Sequence, residues 1–177
     1  MANTTISCPL PENLTPLSPN GFSFSVTKLP DIMFFCQQVN LPGITLGAPE
    51  FGNPFQTAPI PGDTLTYDTL NIQFLVDSEM KNYKTIYNWI VALGFPENYD
   101  QYKAFVASDT NNYSELAKNY SDATLSILTG KNNIAQQIQF VDLFPATLES
   151  MVFQSTATDV NYIVGNATFR YAYYKMI

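Results

Sequence analysis

Apolar and polar residues alternate along most of this chain, and the places where the alternation stops are as informative as the alternation itself. In "GFSFSVTK", Phe22, Phe24 and Val26 stand against polar neighbours, the period-two pattern of a half-buried strand. "LPD" then turns the chain into "IMFFCQQVNLPG", a second strand ending at Leu41-Pro42-Gly43, so the two predict a hairpin. "TLNIQFLVD", Thr69 to Asp77, is a further strand. The period then changes. Met80, Tyr83, Tyr87, Ile90 and Val91 recur at spacings of three and four, which is one face of a helix over about 79–93. Asp77 and Ser78 stand where a side-chain oxygen caps a helix start, Gly94 closes the helix, and Pro96 prevents its return.

"DATLSILTGKNNIAQQIQFVDLFP" predicts a hairpin, with Leu125 and Ile127 facing Ile138 and Phe140 across a turn at Gly130-Lys131-Asn132-Asn133. Thr147 to Ser155 suits a further strand. "VNYIVGNATFRYAYYKMI" closes the chain, with Phe169, Tyr171 and Tyr173 on one face. Left unbroken, that last run would span about 50 Å, so a bulge or bend is expected at Gly165-Asn166.

Three segments lack periodicity. Residues 1–20 carry Pro9, Pro11, Pro16 and Pro19 and predict an extended arm. From Ile44 to Gly62, Gly47, Gly52 and Gly62 alternate with Pro49, Pro54, Pro59 and Pro61. Proline donates nothing to a ladder, so a long loop with few bonds of its own is expected. Residues 97–121 are Asn- and Tyr-rich and predict a surface insertion in which "YKAFVA" and "YSELAK" form short helices. With about seven strands and one principal helix, the fold class is mainly β: an antiparallel sandwich or open barrel with a flanking helix. At 177 residues the length fits a single domain, 1–177.

Composition narrows the function classes. The chain has no histidine, which removes Ser-His-Asp and Cys-His nucleophile arrangements and most catalytic zinc sites. No phosphate-cradling glycine pattern follows a strand. Asp77 and Glu79 are close enough in sequence to suggest an acid/base pair, yet acids beside a first helical turn more simply complement its dipole. Asp63 and Asp68 lack the spacing of a calcium loop, and Trp89 reads as a packing anchor. No enzyme, cofactor or metal is expected. The net charge is −7 and the eight basic residues are scattered, which argues against a surface that grips nucleic acid. Cys8 and Cys36 make no disulfide framework. With no leader pattern and no run near membrane-spanning length, a reducing intracellular compartment is expected. A low charged fraction, 13%, with 46% hydrophobic residues suits a surface made for other protein.

The order of the pieces resembles the tail tube proteins of contractile-tailed phages, and also the tube-like domain of baseplate proteins that initiate the tube. The resemblance rests on Leu41-Pro42-Gly43 after the second strand and on Gly62-Asp63 opening the next. It continues with Asp77 at the helix start, Tyr83-Lys84 and Trp89 within it, and Leu143-Phe144-Pro145 before the last strands. It covers roughly 21–177 without 97–121, and it implies a structural virion protein assembled in the host bacterial cytoplasm. Subunits of that kind form stacked hexameric rings, with tail sheath outside and a baseplate initiator and tail terminator at the ends. DNA passes through the lumen without specific binding, and no membrane is involved.

Under the resemblance, Leu41, Pro42, Gly43, Gly47, Pro54, Pro59, Pro61, Gly62 and Asp63 form the contact loop between subunits or rings. Asp77, Met80, Tyr83, Tyr87, Trp89 and Ile90 form a helix-packing framework. The absence of a large extra domain favours the main tube over an end ring. Three alternatives stand beside it: an adaptor ring at the baseplate or head end, the inner tube of a contractile injection system, and, from a different class, a glycan-binding β sandwich.

Overall fold

The computed structural model describes residues 16–17, 19–52, 55–108, 117–155 and 162–177. Its body is a seven-stranded antiparallel sheet in the order β1-β8-β9-β10-β7-β2, with β11 added to β9. These strands are β1 (Phe22–Val26), β2 (Cys36–Val39), β7 (Leu70–Leu75), β8 (Ser121–Leu128), β9 (Ile134–Leu148), β10 (Val164–Arg170) and β11 (Tyr173–Met176). The sheet curls until its two end strands, β1 and β2, come near each other, but among the described residues no ladder joins them. It is therefore an open barrel rather than a closed one.

The expected first hairpin does not form. Ile32–Phe35 is a one-turn helix, α1, and β1 pairs with β8 while β2 pairs with β7. The four apolar residues of "IMFF" read as strand, but only Ile32 turns into the core. The later hairpin does form, with Leu125 opposite Ile138 as the pattern requires. Its other pairings shift: Phe140 faces Ala123, and Ile127 faces Gln136. Instead of yielding to a new strand at Thr147–Ser155, β9 runs on through Pro145 to Leu148. Asp142, with φ 55°, puts a left-handed kink in the strand. Up to the kink β9 pairs with β8 and β11, the last β8 pair, Ser121 with Leu143, falls just past it, and from Phe144 on β9 pairs with β10.

The last strand breaks at Tyr171-Ala172, not at Gly165-Asn166. Because the break changes phase, Tyr174 rather than Tyr173 rejoins the core-facing row. Gly165 has a packing role instead: a Cβ there would lie 2.8 Å from Cζ of Phe74.

Phe24, Val26, Leu70, Ile72, Phe74, Leu125, Ile138, Phe140, Leu143 and Phe169 fill the concave side of the sheet. Helix α2 (Lys81–Gly94) closes it. The buried stripe of α2 is Asn82, Ile86, Trp89 and Ala92, one position round from the predicted stripe, and Tyr87 is 53% exposed. Trp89, 2% exposed, is the expected anchor.

The helix start also differs from expectation. Met80 occupies the cap in left-handed conformation with no side-chain cap bond. Asn82 carries the junction instead: its Nδ2 donates to Leu75 O at 2.7 Å, and its Oδ1 accepts from Tyr83 N at 2.8 Å and Asp77 N at 3.3 Å. At the other end the left-handed residue is Phe95, with Gly94 still helical.

The segment 97–121 contains the expected helix at "YKAFVA", α3 (Asp100–Ser108), and a short 3-10 turn at Ala117–Asn119. Most of "YSELAK" lies outside the described residues, as do residues 1–15 with Cys8. The insertion is stitched to the core. Trp89 Nε1 donates to Asn119 O at 3.2 Å, and the Lys28 ammonium lies 5.5 Å from the Trp89 ring and 4.9 Å from that of Phe105.

Candidate assembly surfaces

Two surfaces stand out, and the first is built from the segment expected to be a loop. Residues 44–67 pair with themselves. β3 (Ile44–Leu46) pairs with β6 (Leu65–Tyr67), and β4 (Glu50–Gly52) with β5 (Thr57–Pro59), giving one long ribbon that leaves the sheet between β2 and β7. The prolines are accommodated because a two-stranded ribbon has two outer edges where no N–H is needed. Gly47 and Gly62 join the two halves. Gly62 N donates to Gly47 O at 2.8 Å and Gly47 N to Thr64 O at 2.9 Å. A Cβ on Gly62 would lie 2.5 Å from that same carbonyl oxygen.

The ribbon is apolar without a core. Ile44, Leu46, Leu65 and Tyr67 share one face of its inner half, and all but Tyr67 are exposed. Phe51, Phe55 and Ile60 are exposed further out, Phe55 at 97%. A two-stranded ribbon is marginal alone, and exposed apolar edges invite pairing with other chains.

At its root Asp68 N donates to Gly43 O at 3.1 Å. Tyr171 Oη donates to Asp68 O at 2.8 Å and Tyr174 Oη to Pro42 O at 3.2 Å. The Tyr67 ring packs edge-on against both, at 5.9 and 5.7 Å. Burial first, then the neighbouring Tyr174, Asp68 and Tyr67, push the Tyr171 hydroxyl up to about 12, so it remains a donor.

Of the predicted contact residues, Pro42 is buried at the root and Gly43 abuts Asp68, while Leu41, Pro59, Pro61 and Asp63 are exposed. Pro54 lies outside the described residues. The three root tyrosines were missed. The mirrored Ile44-Leu46 and Leu65-Tyr67 alternation was a usable signal of a ribbon, hidden by the prolines between.

The second surface is the convex face of the sheet. Cross-strand rows run Ser23, Ser126, Gln137; Ser25, Thr124, Gln139; and Gln38, Gln73, Asn166. Thr168 stands opposite Asn71 and Thr147, and its Oγ1 donates to Asn71 Oδ1 at 2.8 Å. A groove of about 370 Å3 on this face is lined by Gln38, Asn40, Asn71, Gln73, Glu149, Asn166 and Thr168. Asn166 Nδ2 donates to Glu149 Oε2 at 2.8 Å. The face is thus hydroxyl- and amide-rich, with charges at its margins: Asp122 and Glu149 against Arg170 and Lys175.

Among the described residues no cluster of three metal-ligating side chains exists, and no helix is long and apolar enough to cross a membrane. Burial pushes the half-buried Cys36 thiol up to about 11 against a weaker opposing bond to Gln38, which leaves it a poor nucleophile.

An open barrel carrying one apolar ribbon and one hydroxyl- and amide-rich face presents two surfaces suited to assembly. The profile of a known family, the phage tail tube proteins, matches residues 5–177. The chain belongs to the phage tail tube protein family. That makes it a structural component of a virion tail and not an enzyme.

The tail tube terminator protein of Enterobacteria phage T4 is 28% identical over 144 residues, covering 79% of this chain and 75% of that protein. The fold matches a chain of the anti-feeding prophage baseplate with a TM-score of 0.62 at 12% identity, covering 92% of this chain and 96% of the other. It also matches the cap that terminates the anti-feeding prophage tube, with a TM-score of 0.59 at 17% identity, covering 100% and 99%.

Proposed function

We propose that this chain is the subunit of a ring that terminates a tail tube, in preference to the main-tube role expected from the sequence. The observation that carries it is the likeness to the T4 tail tube terminator over most of both chains. Six subunits would close the ring, the apolar ribbons would dock onto the tube, and the helix side would face the sheath. The amide-rich convex face would line the bore. A lining with hydroxyls and amides but balanced charge gives passing DNA neither counter-ion release to hold it nor a field to repel it. The chain's excess of acids would then sit away from the bore. Assembly would take place in the host bacterial cytoplasm, and a baseplate initiator would occupy the tube's opposite end.

A main-tube subunit is the second reading, favoured by the family's own description. A chain of the PVC extracellular contractile injection system sheath–tube complex also shares the fold, with a TM-score of 0.53 at 18% identity. Negative-stain electron microscopy of the purified protein, alone and mixed with preformed tubes, separates the two. Isolated rings that add one layer to tube ends support the terminator. Long hollow tubes formed by the protein alone support the main-tube subunit, and monomers in both samples refute both.

A further inference from the structure

We infer that Tyr171 and Tyr174 aim the ribbon: they fix the direction in which it leaves the body before any partner is met. The inference rests on the terminator reading, with the ribbon docking on the tube end. The ribbon has no core, so nothing within it sets its direction. Tyr174 holds the carbonyl of Pro42, just ahead of one strand, and Tyr171 that of Asp68, just after the other. A pair of bonds to both legs of a ribbon fixes its tilt as well as its position, which a single bond would not do. The two rings close on Tyr67 from β6, and behind them Phe140 of the core lies 5.1 Å from Tyr171 and 5.7 Å from Tyr174. The two legs are also tied to each other at the pivot, where Asp68 N donates to Gly43 O at 3.1 Å.

Tyr171 lies in the break between β10 and β11 and Tyr174 within β11, so the end of the chain is the part that positions the ribbon. A ribbon aimed in advance loses less freedom on docking, and the affinity it delivers is higher for the same contacts. Tyr171 and Tyr174 are positioning residues in this sense: their hydroxyls are spent on their own chain.

The test compares wild type with Tyr171→Phe, Tyr174→Phe and the double variant, which keep the rings and remove the hydroxyls. Ring formation is read by sizing chromatography, capping by the fraction of tube ends covered, and ribbon order by hydrogen exchange of residues 44–67. In the double variant rings persist, ribbon exchange speeds up, and capping weakens, each by roughly thirtyfold for two ordinary hydrogen bonds. The single variants fall between. Unchanged exchange and capping in the double variant overturn the inference. So does loss of ring formation, which would make the tyrosines part of the body's own stability. Fast, unprotected exchange of the wild-type ribbon overturns it without any variant. A wild-type protein that never covers tube ends defeats the terminator reading instead, and the exchange data still decide whether the tyrosines aim the ribbon.

Discussion

Replacing Trp89 with alanine tests how the body is held together. The indole is 2% exposed, belongs to the same core cluster as Phe24, Phe74 and Phe140, and donates its N–H to Asn119 O at 3.2 Å. Truncating a buried Trp costs about 3–5 kcal/mol through lost transfer energy and the cavity left behind. The carbonyl of Asn119 loses its donor, and the Lys28 ammonium loses one of its two rings, so the upper half of the range is expected. For a chain of this size each kcal/mol moves the melting temperature by roughly 2–4 °C, giving a fall of roughly 10–20 °C. Differential scanning calorimetry measures it. Trp89→Phe separates the terms: it keeps most of the apolar volume and loses the hydrogen bond, so it should fall by about 1–3 kcal/mol. A Trp89→Ala variant that melts within 2–3 °C of wild type would refute the reasoning, because such a shift corresponds to only about 1 kcal/mol.

Three further outcomes are expected. Asn82→Ala leaves the Leu75 carbonyl and the Tyr83 and Asp77 amides without their partner, and should destabilise by about 2–4 kcal/mol in urea unfolding, one to two such orphaned groups' worth; Asn82→Asp keeps the acceptor, loses the donor, and should fall between. Gly62→Ala drives a Cβ into the Gly47 carbonyl, so ribbon amides should exchange freely while the melting temperature stays within 2–3 °C, under about 1 kcal/mol; a large thermal shift would mean that the ribbon supports the body. Tyr171 titrates near 12 folded against 10.0 unfolded. Its stabilising contribution is thus full below pH 10 and lost as pH rises towards 12. In Tyr171→Phe the alkaline fall in urea midpoint should be shallower over that window, and an identical pH profile would show that Tyr171 does not cause it.

The strands with clean alternation, β1, β7, β8 and the start of β9, were legible because a period of two admits one buried face. The helix was legible by its period, but its phase was not. Asn82 is polar and so was excluded from the stripe, although it is buried with three bonds that tie the end of β7 and the junction after it to the first turn. The partners of β1 and β2 were misread because a short apolar run says nothing about which strand lies beside it. Prolines concealed the ribbon, since the rule that they break ladders does not bind at outer edges. The candidate site was half legible: the glycines at 43, 47 and 62 marked out the segment that folds as the ribbon, but Tyr171 and Tyr174 at its root lie more than a hundred residues away in sequence, and only the fold brings them there.

The kink at Asp142 lets β9 serve three neighbours, β8, β11 and β10. A subunit pinned along one shared strand has no seam along which half of it can soften, so under load it deforms as a brick. In the proposed ring, compliance would then be relegated to the joints. Bending strain during contraction would be taken up where ribbons meet their partners, leaving the bore's cross-section unchanged along its length.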